Sequence, residues 1–182
     1  MIERASPVPA SEARFGPDRT NFLTSHRALS VGGREFSKLT DSIVAQARRY
    51  ATAQSCEAPT LRLSPDRCIV QLGPVALTIA HIRNGNAVPP GGQLLAIAWH
   101  GTIAARGDHV PERLGARRVP PTPVSLWEES LVVSAESETS WHWHPNGTES
   151  EGFTSTELAD RCMAQLQQAF DEHRHVDDVT PA

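Results

Sequence analysis

The 182-residue chain has a length typical of one domain with flanking segments, and its 5% aromatic content implies a core of aliphatic side chains. A formal net charge of −4 argues against a general attraction to nucleic acid or to an anionic membrane surface. Cys56, Cys68 and Cys162 show no CxxC spacing, which excludes a structural zinc ribbon and disfavours a disulfide framework. We therefore expect a cytoplasmic protein with reduced thiols and no membrane-spanning segment.

The chain begins with a polar segment, residues 1–34, that lacks a sustained hydrophobic period and is predicted to be a flexible arm. A single domain is predicted over residues 35–175, followed by a tail at 176–182. Its first helix is predicted over residues 36–54, with Ser37 as the N-cap. The apolar side chains that recur there at three- and four-residue steps are Phe36, Leu39, Ile43, Ala47 and Tyr50.

Beyond residue 59 the hydrophobic period changes from 3.6 to 2, which is typical of strands. The segments with this alternation are 60–64, 67–72, 75–82, 93–104, 124–136 and 138–144. Most connections between them are too short for a crossover helix, so neighbouring strands are expected to pair antiparallel.

A second helix is predicted over residues 155–174. Thr154 and Glu157 form a capping box, in which each side chain can bond a backbone N–H of the other residue's turn. Because an antiparallel sheet can keep one face in water, both helices are expected on a single face. The sequence thus predicts an α+β fold: an antiparallel sheet of five to six strands flanked by an N-terminal and a C-terminal helix.

Tryptophan and histidine alternate in the last predicted strand, within SWHWHPNG. In a strand, Trp141 and Trp143 point to one face, and His142 and His144 point to the other. The tryptophans are expected to anchor either the core or a binding interface, since tryptophan buries a large rigid area.

Two histidines at positions i and i+2 can hold zinc if a neighbouring strand supplies a third ligand. For His142 and His144 the candidate third ligands are His100 and His81. A water-facing sheet surface that carries histidines by chance is the favoured interpretation, so no cofactor is expected and zinc is the alternative. An enzyme would have to combine these histidines with Glu129 on one sheet face.

The connection over residues 105–123 is longer than most loops inside compact domains. Its arginines, Arg106, Arg113, Arg117 and Arg118, include a pair suited to holding a phosphate or carboxylate. A solvated, proline-stiffened loop is the favoured interpretation, with anion or nucleic-acid binding as the alternative.

The sequence shows no nucleotide-binding loop and no catalytic motif, which favours a protein that is not an enzyme. We expect a non-enzymatic protein-interaction module, such as an adaptor, a chaperone-like protein or a complex subunit, that binds a protein partner or forms a homodimer. The alternatives are a metal-binding protein or metal-dependent enzyme that uses the strand histidines, and an anion or nucleic-acid binder that uses the arginine-bearing loop.

Overall fold

The computed structural model describes residues 22–83, 88–104, 122–135, 137–147 and 151–174 of the chain. In chain order, its elements within these ranges are α1 (His26–Ala53), β1 (Thr60–Ser64), β2 (Arg67–Leu72), β3 (Val75–Ile82), β4 (Gln93–His100), β5 (Val124–Ala135), β6 (Trp141–Pro145) and α2 (Ser155–Arg174). The strands form one antiparallel sheet with the spatial order β1-β2-β3-β4-β5-β6. The predicted α+β class is therefore confirmed.

Both helices pack on the same face of the sheet, as predicted. The ring centroids of Phe36 in α1 and His81 in β3 lie 5.6 Å apart. Ser155, the first residue of α2, accepts a hydrogen bond from the indole of Trp143. The core lies between this sheet face and the helices; its fully buried sheet residues include Val70, Leu72, Val75, Leu77, Ile79, Leu94, Ala96, Leu131 and Trp143.

The capping box at the start of α2 is confirmed. The backbone N–H of Thr154 donates to Glu157 Oε2 at 2.8 Å, and the backbone N–H of Glu157 donates to Thr154 Oγ1 at 3.3 Å. Such reciprocal bonds satisfy two donors that a helix start would otherwise leave unpaired.

The predicted end of β4 at residue 104 is wrong, because the strand ends at His100. Gly101 adopts a φ of +116°, and its N–H donates to Pro74 O at 2.7 Å. The next residues turn toward β2, where Gln71 Oε1 accepts from the N–H of Ile103 at 2.9 Å. A left-handed glycine thus redirects a segment whose hydrophobic alternation continues past the strand.

The predicted start of the first helix is also wrong: α1 begins at His26 rather than at residue 36. Ser25, not Ser37, is the N-cap, and its Oγ accepts from the N–H of Ala28 at 3.1 Å. Ala28 and Val31 are buried in the core, so this part of the predicted arm belongs to α1. Residues 1–21 of that arm, and the predicted tail at 176–182, lie outside the described residues.

Two adjacent glycines lie inside α1, although glycine has a low helix propensity. A Cβ atom placed on Gly32 would stand 2.9 Å from Cη2 of Trp141, so the missing side chain is what lets the indole approach the helix. Gly33 faces only the guanidinium of Arg83, no nearer than 3.8 Å to such a Cβ. A long-range contact therefore accounts for glycine at position 32 but not at position 33.

We predict opposite effects of alanine at these two neighbouring positions. Gly33→Ala should raise the free energy of unfolding by up to about 1 kcal/mol, because alanine favours the helix and the site has room. Gly32→Ala should lower it by about 1–3 kcal/mol, because the new methyl group overpacks against Trp141. Urea unfolding of the two variants measures both effects. Equal shifts of the same sign would contradict the proposed role of the Trp141 contact.

Candidate functional site

The candidate site is the sheet face opposite the helices, which we call the open face. Among the described residues, both helices lie on the other side of the sheet. The middle of the open face is nevertheless apolar; we call Ile69, Ala80, Leu95, Ile97 and Trp99 the apolar patch. None of these five residues belongs to the hydrophobic core cluster. The sheet therefore carries a second apolar surface that the core does not use.

Strand register makes the apolar patch continuous. Ile69 and Ile97 lie opposite Thr78 from its two sides, one strand away in each direction. Ala80 lies opposite Leu95 in the neighbouring row. Trp99 lies in the row on the other side of Ile97, opposite Ala76, and its Nε1 donates to Thr78 Oγ1 at 3.2 Å, which shows that the two side chains share this face. Ile97, at the centre, is 9% exposed.

Charged residues of opposite sign border the apolar patch. Arg62 in β1 lies opposite Ile69, and Glu128 in β5 lies opposite Ile97. Both are exposed. The open face thus has a basic side at β1 and an acidic side at β5, with apolar residues between them.

A buried glutamine closes one end of the open face. Gln71 Nε2 donates to the carbonyls of Gly73, Val75 and Gly101, at 2.8 to 3.1 Å. Its Oε1 accepts from the N–H groups of Ile103 and Ala104. These bonds satisfy the amide and hold the chain against the sheet after β4, so we assign Gln71 a structural role.

The predicted binding tryptophans lie on the core side of the sheet. Trp141 is 5% exposed and Trp143 is fully buried, and their rings meet edge to face with centroids 5.8 Å apart. This matches the core alternative for the two residues, since a partner would reach either ring only if the helices moved away. Trp99 is the tryptophan that the fold presents on the open face.

His142 and His144 lie at the β6 edge of the open face, with ring centroids 6.5 Å apart. The Oγ of Ser134 and the Nε2 of His144 are 2.6 Å apart, and His142 Nδ1 is 3.3 Å from Ser140 O. Each imidazole is therefore engaged by a neighbouring polar group.

The structure does not bring His100 to these two histidines. His100 stacks on His173 of α2, with centroids 4.4 Å apart, and so lies on the helix side of the sheet. It pairs with Val124, whereas His144 pairs with Val132, a separation of about 25 Å along β5 at roughly 3.3 Å per residue. Within the described ranges, no group of three histidine, cysteine or acidic residues is placed to hold a metal ion.

His81 is buried on the helix side and is held in one neutral tautomer. Arg83 Nε donates to its Nδ1 at 3.2 Å, and its Nε2 lies 3.3 Å from Gly91 O, so Nε2 carries the hydrogen. Burial, followed by the nearby Arg83 cation, lowers the pKa of His81 to about 4. This histidine packs between aromatic rings and is a core residue.

Other side chains that could take part in chemistry, two of the cysteines and Glu129, are instead buried or ion-paired. Cys56, Cys68 and Cys162 are free thiols, and burial raises the pKa of both Cys68 and Cys162 to about 12, which leaves these two thiols protonated and inert. Glu129, which the enzyme alternative placed on one sheet face with the strand histidines, points to the helix side instead. It forms a two-pronged ion pair with Arg161 at 2.9 and 3.0 Å.

Arg106, Arg113, Arg117 and Arg118 lie outside the described residues. No helix in the described part of the chain has the combined length and apolar character needed to span a membrane.

Comparison with protein-family models, curated proteins and solved structures finds no match to this chain. The function is therefore inferred from the geometry of the chain itself.

The sequence did contain a signal for the apolar patch. QLLAIAWH, the segment that forms β4, is apolar at nearly every position and not only at alternate ones. Such runs are typical of strands covered on both faces, whereas α1 and α2 cover only one. The period of 2 predicts a strand here but does not indicate which of its two apolar faces the helices leave uncovered.

We predict that His81 makes stability depend on pH. Its pKa falls from an ordinary value of 6.5 to about 4 on folding, so between these values the unfolded chain binds a proton that the folded chain does not. As the pH falls from 6.5 to 4, His81 should thus lower the free energy of unfolding by about 3 kcal/mol.

The comparison with His81→Gln isolates this effect, since glutamine can still donate to Gly91 O but does not titrate. Urea unfolding of both proteins between pH 4 and pH 7 gives the difference in stability at each pH. The difference should shrink in acid by about the amount above, because only the wild-type core is forced to hold an imidazole that prefers protonation. A difference in stability that does not change with pH would contradict the prediction, because it would mean that His81 takes up a proton equally in the folded and the unfolded chain.

Proposed function

We propose that this protein is a non-enzymatic interaction module that self-associates through the open face of its sheet. The observation that carries the proposal is the apolar patch, whose residues lie outside the core cluster, on the side of the sheet without described helices. Contiguous apolar surface of this kind, bordered by charged residues, is a common mark of protein-interaction sites. The occupant that fits best is a second copy of the chain.

The size of the open face supports a second copy as the occupant. Six strands spaced about 4.8 Å apart, each contributing roughly six residues at about 3.3 Å, cover about 600 Å² in projection. Two copies packed face to face would therefore cover about 1,200 Å², which is the lower end of the range for a specific interface. We accordingly expect a reversible dimer whose population depends on protein concentration.

The residue types of the apolar patch also support association. Trp99 is half-buried, and its indole lies beside Ile97 and over Thr78. Tryptophan flanked by aliphatic side chains is a frequent hot spot of protein interfaces, because it buries a large rigid area at a low entropic cost. The zinc alternative lacks a third ligand among the described residues, and the loop arginines lie outside them, so neither becomes a second proposal.

The test is the oligomeric state of the wild type beside two strand variants. In Leu95→Asp a charge replaces a half-buried leucine of the apolar patch; in Leu63→Asp, the control, it replaces an exposed leucine of β1 on the helix side. Light scattering after size exclusion should show a wild-type dimer at high concentration. Leu95→Asp should weaken the dimer by at least about tenfold, while Leu63→Asp should leave it unchanged.

A second variant guards against a folding defect. Trp99→Ala removes the indole without adding a charge and should also favour the monomer. Both variants should retain the native helix content, as measured by circular dichroism. A wild type that stays monomeric at 0.1–1 mM, in about the range where even weak specific complexes form, would overturn the proposal. So would a dimer that survives both Leu95→Asp and Trp99→Ala.

A further inference from the structure

One row of side chains crosses the open face with a positive charge at one end and a negative charge at the other. Arg62 lies opposite Ile69, Ile69 opposite Thr78, Thr78 opposite Ile97, and Ile97 opposite Glu128. The small, polar Thr78 is the centre of this row. An isoleucine stands on each side of it, and a charge of opposite sign stands at each end.

This order is complementary to itself under only one kind of two-fold rotation. Two sheets packed face to face with aligned strands can be related by an axis parallel to the strands or by an axis across them. The axis across the strands would set Arg62 against Arg62 and Glu128 against Glu128. The axis parallel to the strands, passing by Thr78, sets Arg62 of each copy against Glu128 of the other and Ile69 against Ile97.

We propose that two copies pair through their open faces about a two-fold axis parallel to β3, with Arg62 and Glu128 paired across the interface at both ends of the row. The inference rests on the proposed self-association and adds its geometry and its specificity. Like charges set against each other at an interface are costly, so the charge order selects between the two arrangements.

The shape of the open face agrees with an axis at β3. Three of the four side chains that β3 presents on this face are small, namely Ala76, Thr78 and Ala80, and the larger Ile82 is the last residue of the strand. The neighbouring β4 presents the larger Leu95, Ile97 and Trp99. A line of small residues at the axis lets the two sheets approach, and the larger β4 side chains then pack beside that line on the other copy. The axis leaves β6, with His142 and His144, outside the overlap, so the five overlapping strands cover about 1,000 Å² in the two copies together, the size of a weak, reversible interface.

Two single charge reversals test this arrangement. Arg62→Glu and Glu128→Arg each place like charges at both ends of the row, because the two-fold axis repeats every pair. Each variant alone should dimerise at least about tenfold more weakly than the wild type. Arg48→Glu, on the exposed surface of α1, changes the net charge by the same amount as Arg62→Glu and should have no effect.

A further test is the mixture of the two single variants. A heterodimer of Arg62→Glu with Glu128→Arg places opposite charges at both ends, so mixing should restore dimers with wild-type affinity. Native mass spectrometry separates this heterodimer from the homodimers by mass. The double variant Arg62→Glu/Glu128→Arg is the decisive measurement. It should recover the homodimer about the axis parallel to the strands, whereas about the axis across them like charges would still meet.

The possible failures are distinguishable. If the wild type dimerises and Leu95→Asp prevents it, but mixing restores nothing, the two-fold arrangement is overturned while self-association through the open face stands. The same conclusion follows if neither single reversal weakens the dimer. A monomeric wild type, as expected if residues 105–121 of the chain itself cover the open face, overturns both proposals.

Discussion

The burial of Trp143 is the interaction on which the rest of the fold depends. The residue is fully buried, and its backbone pairs with Phe153 through two bonds of 2.8 Å, which holds the approach to α2 against β6. Its indole donates to Ser155, whose hydroxyl donates to Glu35 of α1 at 2.7 Å. The ring also meets His81 edge to face, at 5.4 Å between centroids. One side chain thus joins β6, both helices and β3, and satisfies its polar atom inside the core.

Other contacts act together with those of Trp143 to hold both helices on one sheet face. α1 approaches β6 closely because Gly32 leaves room for the indole of Trp141, and α2 is tied to β5 by the ion pair of Arg161 with Glu129. Further bonds, such as Tyr50 Oη to Asp171 at 2.6 Å, join the helices to each other. With both helices committed to one face, the apolar residues on the other side of β4 have no described helix to pack against.

Because the described helices cover only one of the two sheet faces, the structure favours the proposed interaction role. The reactive groups are accounted for by structure: the thiols of Cys68 and Cys162 are buried, His81 is neutral within the core, and Glu129 is paired. The apolar patch has no such account within the described residues. Ile69, Leu95 and Trp99 of this patch are only half-buried, and their free energy falls when a partner removes the rest of their apolar surface from water.

The sequence by itself determined the kind and order of the elements, because hydrophobic period, turn residues and the capping box of Thr154 and Glu157 act over a few neighbouring positions. The bounds of β1, β2, β3 and α2 follow from these local signals. Only the tertiary structure decided that α1 continues through Gly32, that Gly101 ends β4, and that His100 lies far from the other strand histidines. These features depend on contacts between residues distant in the chain, such as Gly32 with Trp141. Local periodicity also carries no information about which of two apolar strand faces the helices will cover.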